Sequence, residues 1–264
     1  MNSNSATQSS DLTVEKILRS SIRVSVTKTS GEQHYGTAFF FNFMINQSPY
    51  PVLISNRHVF ENASEMSFFV NASCSNLSWA ERCKHNEKKH LIYALPKIIF
   101  HPNPDIDLAL FPMETTINQF AEQGISFVHW YLDESIIPSA QEWSRLLPLE
   151  DVIMVGCPDA IFDLKNNLAL IRKGIIASHP AYDFNYKPVF ISDIACFPGS
   201  SGSPILMRDT SPFFSDETLY LDSSRYALLG IQSRVFQHSE NYFNNLAIAI
   251  KSTELLAFRN LLWS

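Results

Sequence analysis

From Ser21 onward the apolar residues come in short runs, and that spacing most restricts how the chain can fold. Ile22, Val24 and Val26 alternate with Arg23 and Ser25, the period of a strand with one covered face. A TSGEQ turn follows, and His34–Phe43 reads as the return strand of a hairpin. Pro51–Ser55 is a buried-strand run, and Met66–Val70, Leu91–Ala94, Lys97–His101 and Leu108–Pro112 read as further strands. A second series covers Asp151–Gly156, Ala169–Ser178, Pro188–Ile194, Ser203–Met207, Tyr226–Val235 and Leu246–Ile250. Helical periodicity is confined to residues 11–20, with Asp11 as N-cap, to Thr115–Gln123, and to Thr253–Leu262 behind a Ser252 cap. Many short strands at close spacing predict an all-β barrel or sandwich.

Residues 131–148 interrupt the strand series, and Pro138 and Pro148 oppose a central strand there. The organisation expected is a tail and helix over 1–20, a β-barrel over 21–130, a connection over 131–148, and a second β-barrel with a terminal helix over 149–264. Apolar residues make up 45% of the chain and charged residues 17%, enough for a packed core and against disorder. The net charge of −6 gives no global basic face, so no nucleic-acid partner is expected. Neither a signal peptide nor a long apolar span is evident, so no membrane association is expected and the cytoplasm is the expected compartment. Cys74, Cys83, Cys157 and Cys196 form no C-x-x-C pair, and free thiols are expected there. The four N-x-[ST] sequons, at Asn46, Asn62, Asn71 and Asn76, read as chance in an Asn/Ser-rich chain.

Three segments carry chemistry. Phe197-Pro198-Gly199-Ser200-Ser201-Gly202-Ser203-Pro204 suits a nucleophile, which needs an exposed hydroxyl on a tight turn beside backbone N–H groups that hold an oxyanion. Gly199 and Ser201 are the natural N–H donors. The apolar run Pro51–Ser55 leads through Asn56 and Arg57 to His58, which would hold an imidazole on rigid backbone at the mouth of a barrel. Asp107 opens the apolar run Leu108–Phe111, where a part-buried carboxylate can orient the imidazole. Asp105 is its rival, and Asp107 is preferred because it abuts the strand. The order His, Asp, Ser and the sequence G-S-S-G-S argue against an α/β-hydrolase, which requires G-x-S-x-G and whose acid and histidine follow the serine. Cys157 and Cys196 lie outside the turn motif.

Together these segments resemble the chymotrypsin-like serine peptidases, especially the bacterial and HtrA-type branch. Gly36-Thr37-Ala38-Phe39, Asn56-Arg57-His58-Val59, Asp107-Leu108-Ala109-Leu110 and Gly199-Ser200-Ser201-Gly202-Ser203-Pro204 are similar to that family's signature strands and turns, as are Gly156-Cys157-Pro158, Lys173-Gly174-Ile175-Ile176 and Leu229-Gly230-Ile231. Six of the chain's eight glycines fall within them. The resemblance implies an all-β fold of two six-stranded antiparallel barrels with a C-terminal helix. It implies serine endopeptidase activity with His58, Asp107 and Ser201 as the triad, acting through an acyl-enzyme without metal or organic cofactor. A protein or peptide would be the substrate.

Several positions depart from the digestive enzymes. Ser200 stands where they carry an aspartate that receives a freed N-terminus, and no activation-cleavage sequence is evident, so zymogen activation of that kind is not expected. By the same resemblance, Ala195 would fall at the floor of the specificity pocket. Ser233 matches the serine beside the triad acid. Arg234 replaces a flat aromatic residue, Val235 a glycine, and Gln232 lies near a histidine of the glutamyl endopeptidases. Ala195, Gln232, Ser233 and Arg234 are therefore the expected substrate-binding residues. These departures leave a second reading open: a latent or inactive domain that binds peptides or an activating partner protein.

Overall fold

The computed structural model describes residues 13–209, 213–215, 218–220, 225–239 and 242–262. A short helix, Val14–Leu18, opens it, capped by Thr13, whose Oγ1 accepts from the Lys16 N–H at 3.4 Å. The expected cap, Asp11, lies outside the described residues.

The first half contains strands β1 (Ser21–Lys28), β2 (Gln33–Ile45), β3 (Ser48–Ser55), β4 (Ala63–Cys74), β5 (Glu87–Ala94), β6 (Ile99–Phe100), β7 (Ala109–Pro112), β8 (Ile125–Phe127) and β9 (Leu132–Asp133). Its hydrogen-bonded order is β5-β4-β1-β2-β3-β7-β6, with β8 beside β4 and β9 parallel to β2. This is a nine-stranded sheet whose path stays open, where a closed six-stranded barrel was expected. Closure would require pairing around β6. Only two residues long, β6 is separated from β5 by the left-handed Leu95 and by Pro96, and followed by Pro102 and Pro104.

The second half contains β10 (Asp151–Gly156), β11 (Leu170–Ile176), β12 (Val189–Asp193), β13 (Pro204–Asp209), β14 (Phe213–Ser215), β15 (Thr218–Tyr220), β16 (Arg225–Ser239) and β17 (Tyr242–Lys251). Six of these close a barrel in the order β10-β11-β12-β17-β16-β13, while β14 and β15 pair only with each other. The chain then makes a 3₁₀ segment, Ser252–Phe258, and a single α-turn, Arg259–Leu262, in place of the α-helix read from its periodicity. The Ser252 side chain caps nothing, since Lys251 holds the N-cap position and makes no side-chain capping bond.

Strand alternation explains how the halves meet. On β2, Ala38 and Phe40 face the first half's own core, whereas Phe39, Phe41 and Phe43 join a cluster shared with the barrel. Likewise Leu53 faces inward on β3 while Val52 and Ile54 join the shared cluster. Leu110 on β7, and Leu108 just before it, join that cluster too, with Ala109 and Phe111 turned inward. The barrel contributes Val155, Leu206, Leu228, Ile231 and Ile250 to the same cluster, and keeps Val152, Met154, Phe190, Ile205 and Leu229 inside. The near-continuous apolar run over β2 is thus covered on both faces. Each fully buried phenylalanine contributes about 1.5–3 kcal/mol of transfer free energy. The segment before the barrel seats Trp143 and Leu146 on the barrel core. At its start His129 accepts from the Asn71 N–H and faces the Arg19 carbonyl, stacked on Phe40. Burial pushes its pKa down to about 3, so it stays neutral.

Candidate active site

The shared cluster brings the ends of β2, β3 and β7 against the turn between β12 and β13. At that turn the Phe197 carbonyl accepts from the Ser200 N–H at 2.9 Å, with Pro198 and Gly199 between them. Gly199 has φ +87. Proline second and a positive-φ glycine third define a type II turn. The Ser200 hydroxyl, buried, also accepts from the Phe197 N–H at 3.2 Å, which locks the turn from within. The Pro198 carbonyl accepts from the Asp159 N–H. The Gly199 N–H lies on the opposite side of that same planar peptide. Among the described residues, neither it nor the Ser201 N–H donates to a protein acceptor.

Thr37 fastens this turn to the first half of the chain. Its N–H donates to the Ser201 carbonyl at 2.9 Å and its Oγ1 to the Gly199 carbonyl at 2.8 Å. The same Oγ1 accepts from the Cys157 N–H at 2.9 Å. Thr37 is fully buried, so these bonds form away from competing water.

His58 sits in a one-turn helix, Arg57–Phe60, directly after β3. Its Nδ1 lies 2.7 Å from Asp107 Oδ2, and its backbone N–H donates to Asp107 Oδ1 at 3.0 Å. Ser233 Oγ donates to Asp107 Oδ2 at 2.7 Å, and Asn56 Nδ2 to the Asp107 carbonyl at 2.8 Å. Burial alone would raise the Asp107 pKa. Hydrogen bonds and charge from His58, with the Ser233 bond, outweigh it and hold the carboxyl below its ordinary range. An ionised carboxylate only accepts, so the proton belongs on Nδ1 and the Nε2 lone pair is left for a partner. Asp107 is therefore charged above its unfolded pKa, and the stability it contributes is lost as pH falls through its lowered folded value.

Ser201 Oγ donates to the Ser233 carbonyl at 3.1 Å, and no bond to His58 is formed. His58, Ser200, Ser201, Cys196, Phe197, Pro198, Gln232, Ser233, Arg234 and Val235 line one cleft of about 470 Å³. His58, Asp107, Ser201 and the Gly199 N–H thus come together, as do Gln232, Ser233 and Arg234. Asp105 belongs to a separate exposed turn, where its N–H is held by Asn103. Ala195 is half-buried and does not line the cleft; its neighbour Cys196 does. Burial pushes the Cys196 thiol up to about 12, and its Sγ rests 3.8 Å from Met154 Sδ. A neutral thiol of this kind is no nucleophile.

Lys28 was invisible in the strand pattern. Its Nζ donates to the carbonyls of His58 (2.9 Å), Val59 (2.9 Å) and Glu61 (2.6 Å), closing the end of the helix that carries His58. Desolvation lowers its pKa, although Glu61 and Glu32 oppose this. Lys28→Met is expected to loosen this helix end, so that the backbone amides of His58 and Glu61, which donate to Asp107 and to the Arg57 carbonyl, exchange with solvent about tenfold faster. Lys28→Arg should restore part of the protection. Hydrogen exchange checks both, and unchanged protection in Lys28→Met would remove this positioning role.

The fold is chymotrypsin-like. No protein-family profile and no curated protein sequence matches the chain. Solved structures do: the HtrA-type protease AlgW with a bound tripeptide superposes with a TM-score of 0.56 at 14% identity, over 95% of this chain and 62% of AlgW. The MamO protease domain of Magnetospirillum magneticum gives 0.52 at 12% identity, over 93% of this chain and 98% of that domain. A structure described as HL collagenase gives 0.52 at 14% identity, over 93% and 92% of the two chains. The chain spans less than two thirds of AlgW's length. The structures it resembles are HtrA-type and trypsin-like serine proteases.

Proposed function

We propose that this chain is a serine endopeptidase. The observation that carries the reading is the pair of uncommitted N–H groups, at Gly199 and Ser201, beside a hydroxyl that shares a cleft with His58, which Asp107 holds from behind. Such donors are idle in the resting protein and suit an oxyanion, each worth roughly 10²–10³ in rate in studied cases. In the reaction Ser201 Oγ attacks the scissile carbonyl carbon and His58 Nε2 takes its proton. His58 then gives that proton to the leaving amine, which departs as the acyl-enzyme forms. Water, activated by the same imidazole, hydrolyses the ester. Asp107 holds His58 in the required tautomer and offsets the imidazolium charge, and Ser233 and Asn56 hold Asp107.

The Ser201–Ser233 hydrogen bond favours a second reading, a domain latent until a peptide or partner binds. Attack requires the hydroxyl to leave the Ser233 carbonyl and turn toward His58, a rotation about one side-chain bond between staggered states. A fluorophosphonate probe separates the readings. Covalent labelling of Ser201, absent from Ser201→Ala, is the expected result. Labelling only after addition of a peptide would establish latency. No labelling with or without peptide would overturn the endopeptidase reading and leave peptide binding.

A further inference from the structure

The cleft beside Ser201 has an uneven charge. None of its ten lining residues is Asp or Glu, and Arg234 is its one permanent cation. Arg234 is exposed, and among the described residues its guanidinium is engaged in no ion pair or hydrogen bond; its backbone pairs with Ile248 and its carbonyl accepts from Gln232 Nε2 at 3.1 Å. A second cation stands behind the opposite wall. The Arg172 guanidinium lies 4.8 Å from the ring centroid of Phe197, and its charge reaches Cys196. Of the carboxylates nearby, Asp107 behind His58 is committed to His58 and Ser233, and the exposed Asp159, whose N–H donates to the Pro198 carbonyl, is not among the residues that line the cleft. In a chain of net charge −6, this is a local reversal of sign.

We infer that the cleft selects peptides with an acidic side chain on the acyl side of the bond to be cut, with Arg234 supplying the recognising charge. The inference rests on the peptidase reading for its position: the side chain of the residue whose carbonyl meets Ser201 enters the space between Phe197–Pro198 and Gln232–Val235. A carboxylate there shares the cleft with Arg234, whose guanidinium has unused donors and a planar geometry that matches it. Phe197 and Val235 cover the methylene stem of such a side chain. A lysine or arginine in the same place would meet the charge of Arg234, with Arg172 behind Phe197 and no Asp or Glu among the described lining residues, so like-charge repulsion disfavours it.

Binding tests this independently of turnover. Two N-acetylated hexapeptides, identical except for Glu or Gln at the fourth residue, are titrated by fluorescence anisotropy into the Ser201→Ala protein. The glutamate peptide is expected to bind at least about tenfold tighter, the scale of one charge-assisted hydrogen-bond pair. In Ser201→Ala with Arg234→Gln, that ratio should fall to within about twofold. Lys173→Gln, which removes an exposed cation paired with Asp151 outside the cleft, should leave the ratio intact. Equal affinities for the two peptides, failure to bind the glutamate peptide at millimolar concentration, or a ratio that survives Arg234→Gln overturns the inference. Fluorophosphonate labelling of the wild type with equal affinities would sink the selectivity and keep the peptidase. Acid-selective binding without labelling would do the reverse.

Discussion

On the endopeptidase reading, Ser201→Ala, His58→Ala and the double variant are expected to hydrolyse a peptide substrate at the same residual rate, about 10⁴-fold or more below wild type. The serine hydroxyl is a useful nucleophile only while the imidazole takes its proton, and that imidazole has no proton to take once the hydroxyl is gone. Under that reading the two groups act as one device, so the second deletion removes nothing the first had left. What remains is the pair of N–H groups at Gly199 and Ser201, which are backbone and survive both substitutions. Neither change should harm the fold. Ser201 Oγ makes a single bond, to the Ser233 carbonyl, and the His58 side chain is 40% exposed. The check is kcat/KM for all four proteins on one fluorogenic peptide, with thermal melts alongside. Losses that multiply in the double variant would mean that Ser201 and His58 act separately, and the triad assignment would fail.

The parts of this site that could be read from sequence are those in which neighbours along the chain determine the geometry. Pro198 followed by Gly199 prescribes a type II turn, and Asp107 at the head of an apolar run becomes a part-buried carboxylate because Leu108 is drawn into the shared core. The strand Asp151–Gly156 has the same limits in sequence and in structure. What escaped notice depends on pairings between distant segments. Thr37 reaches Gly199 across 162 positions; the Gly36-Thr37-Ala38-Phe39 motif marks its strand, but nothing local shows which turn its hydroxyl would hold. Lys28 resembles a solvent-facing residue at a hairpin turn until the loop after His58 folds over its ammonium group. The strands β8 and β9 are too short to show alternation. The open edge of the first sheet follows from prolines whose effect on pairing depends on which strand would have come alongside. The displacement from Ala195 to Cys196 has the same origin, since counting back from Ser201 cannot register the path of the loop between them.

Gly202→Ala is expected to lower stability by about 3 kcal/mol or more, the range reserved for steric conflict in a core. In a chain of this size that corresponds to a fall of roughly 10 °C in Tm. Gly202 has φ +88, where a side chain is strained in any surroundings. The larger cost is space: a β-carbon there would lie 2.0 Å from the Thr37 carbonyl oxygen and 2.2 Å from Ser55 Oγ. Neither can give way cheaply. Ser55 Oγ donates to that same Thr37 carbonyl at 2.6 Å, and Thr37 holds the Ser201 carbonyl and the Gly199 carbonyl in place. The Gly202 N–H is also fixed, donating to the Gln232 carbonyl at 2.9 Å. Relieving the contact therefore means parting the Ser201 turn from the first half of the chain, so, on the endopeptidase reading, fluorophosphonate labelling should be lost even below the melting transition. Gly31→Ala is the matched control. Gly31 has the same φ, +88, but nothing lies within 4 Å of its would-be β-carbon, and its substitution should cost about 1 kcal/mol from backbone strain alone. Melts of the two variants isolate the close approach from the dihedral angle. Equal losses would show that the turn needs glycine only for its backbone conformation, and that the contact with Thr37 and Ser55 does not hold the two halves of the site in register.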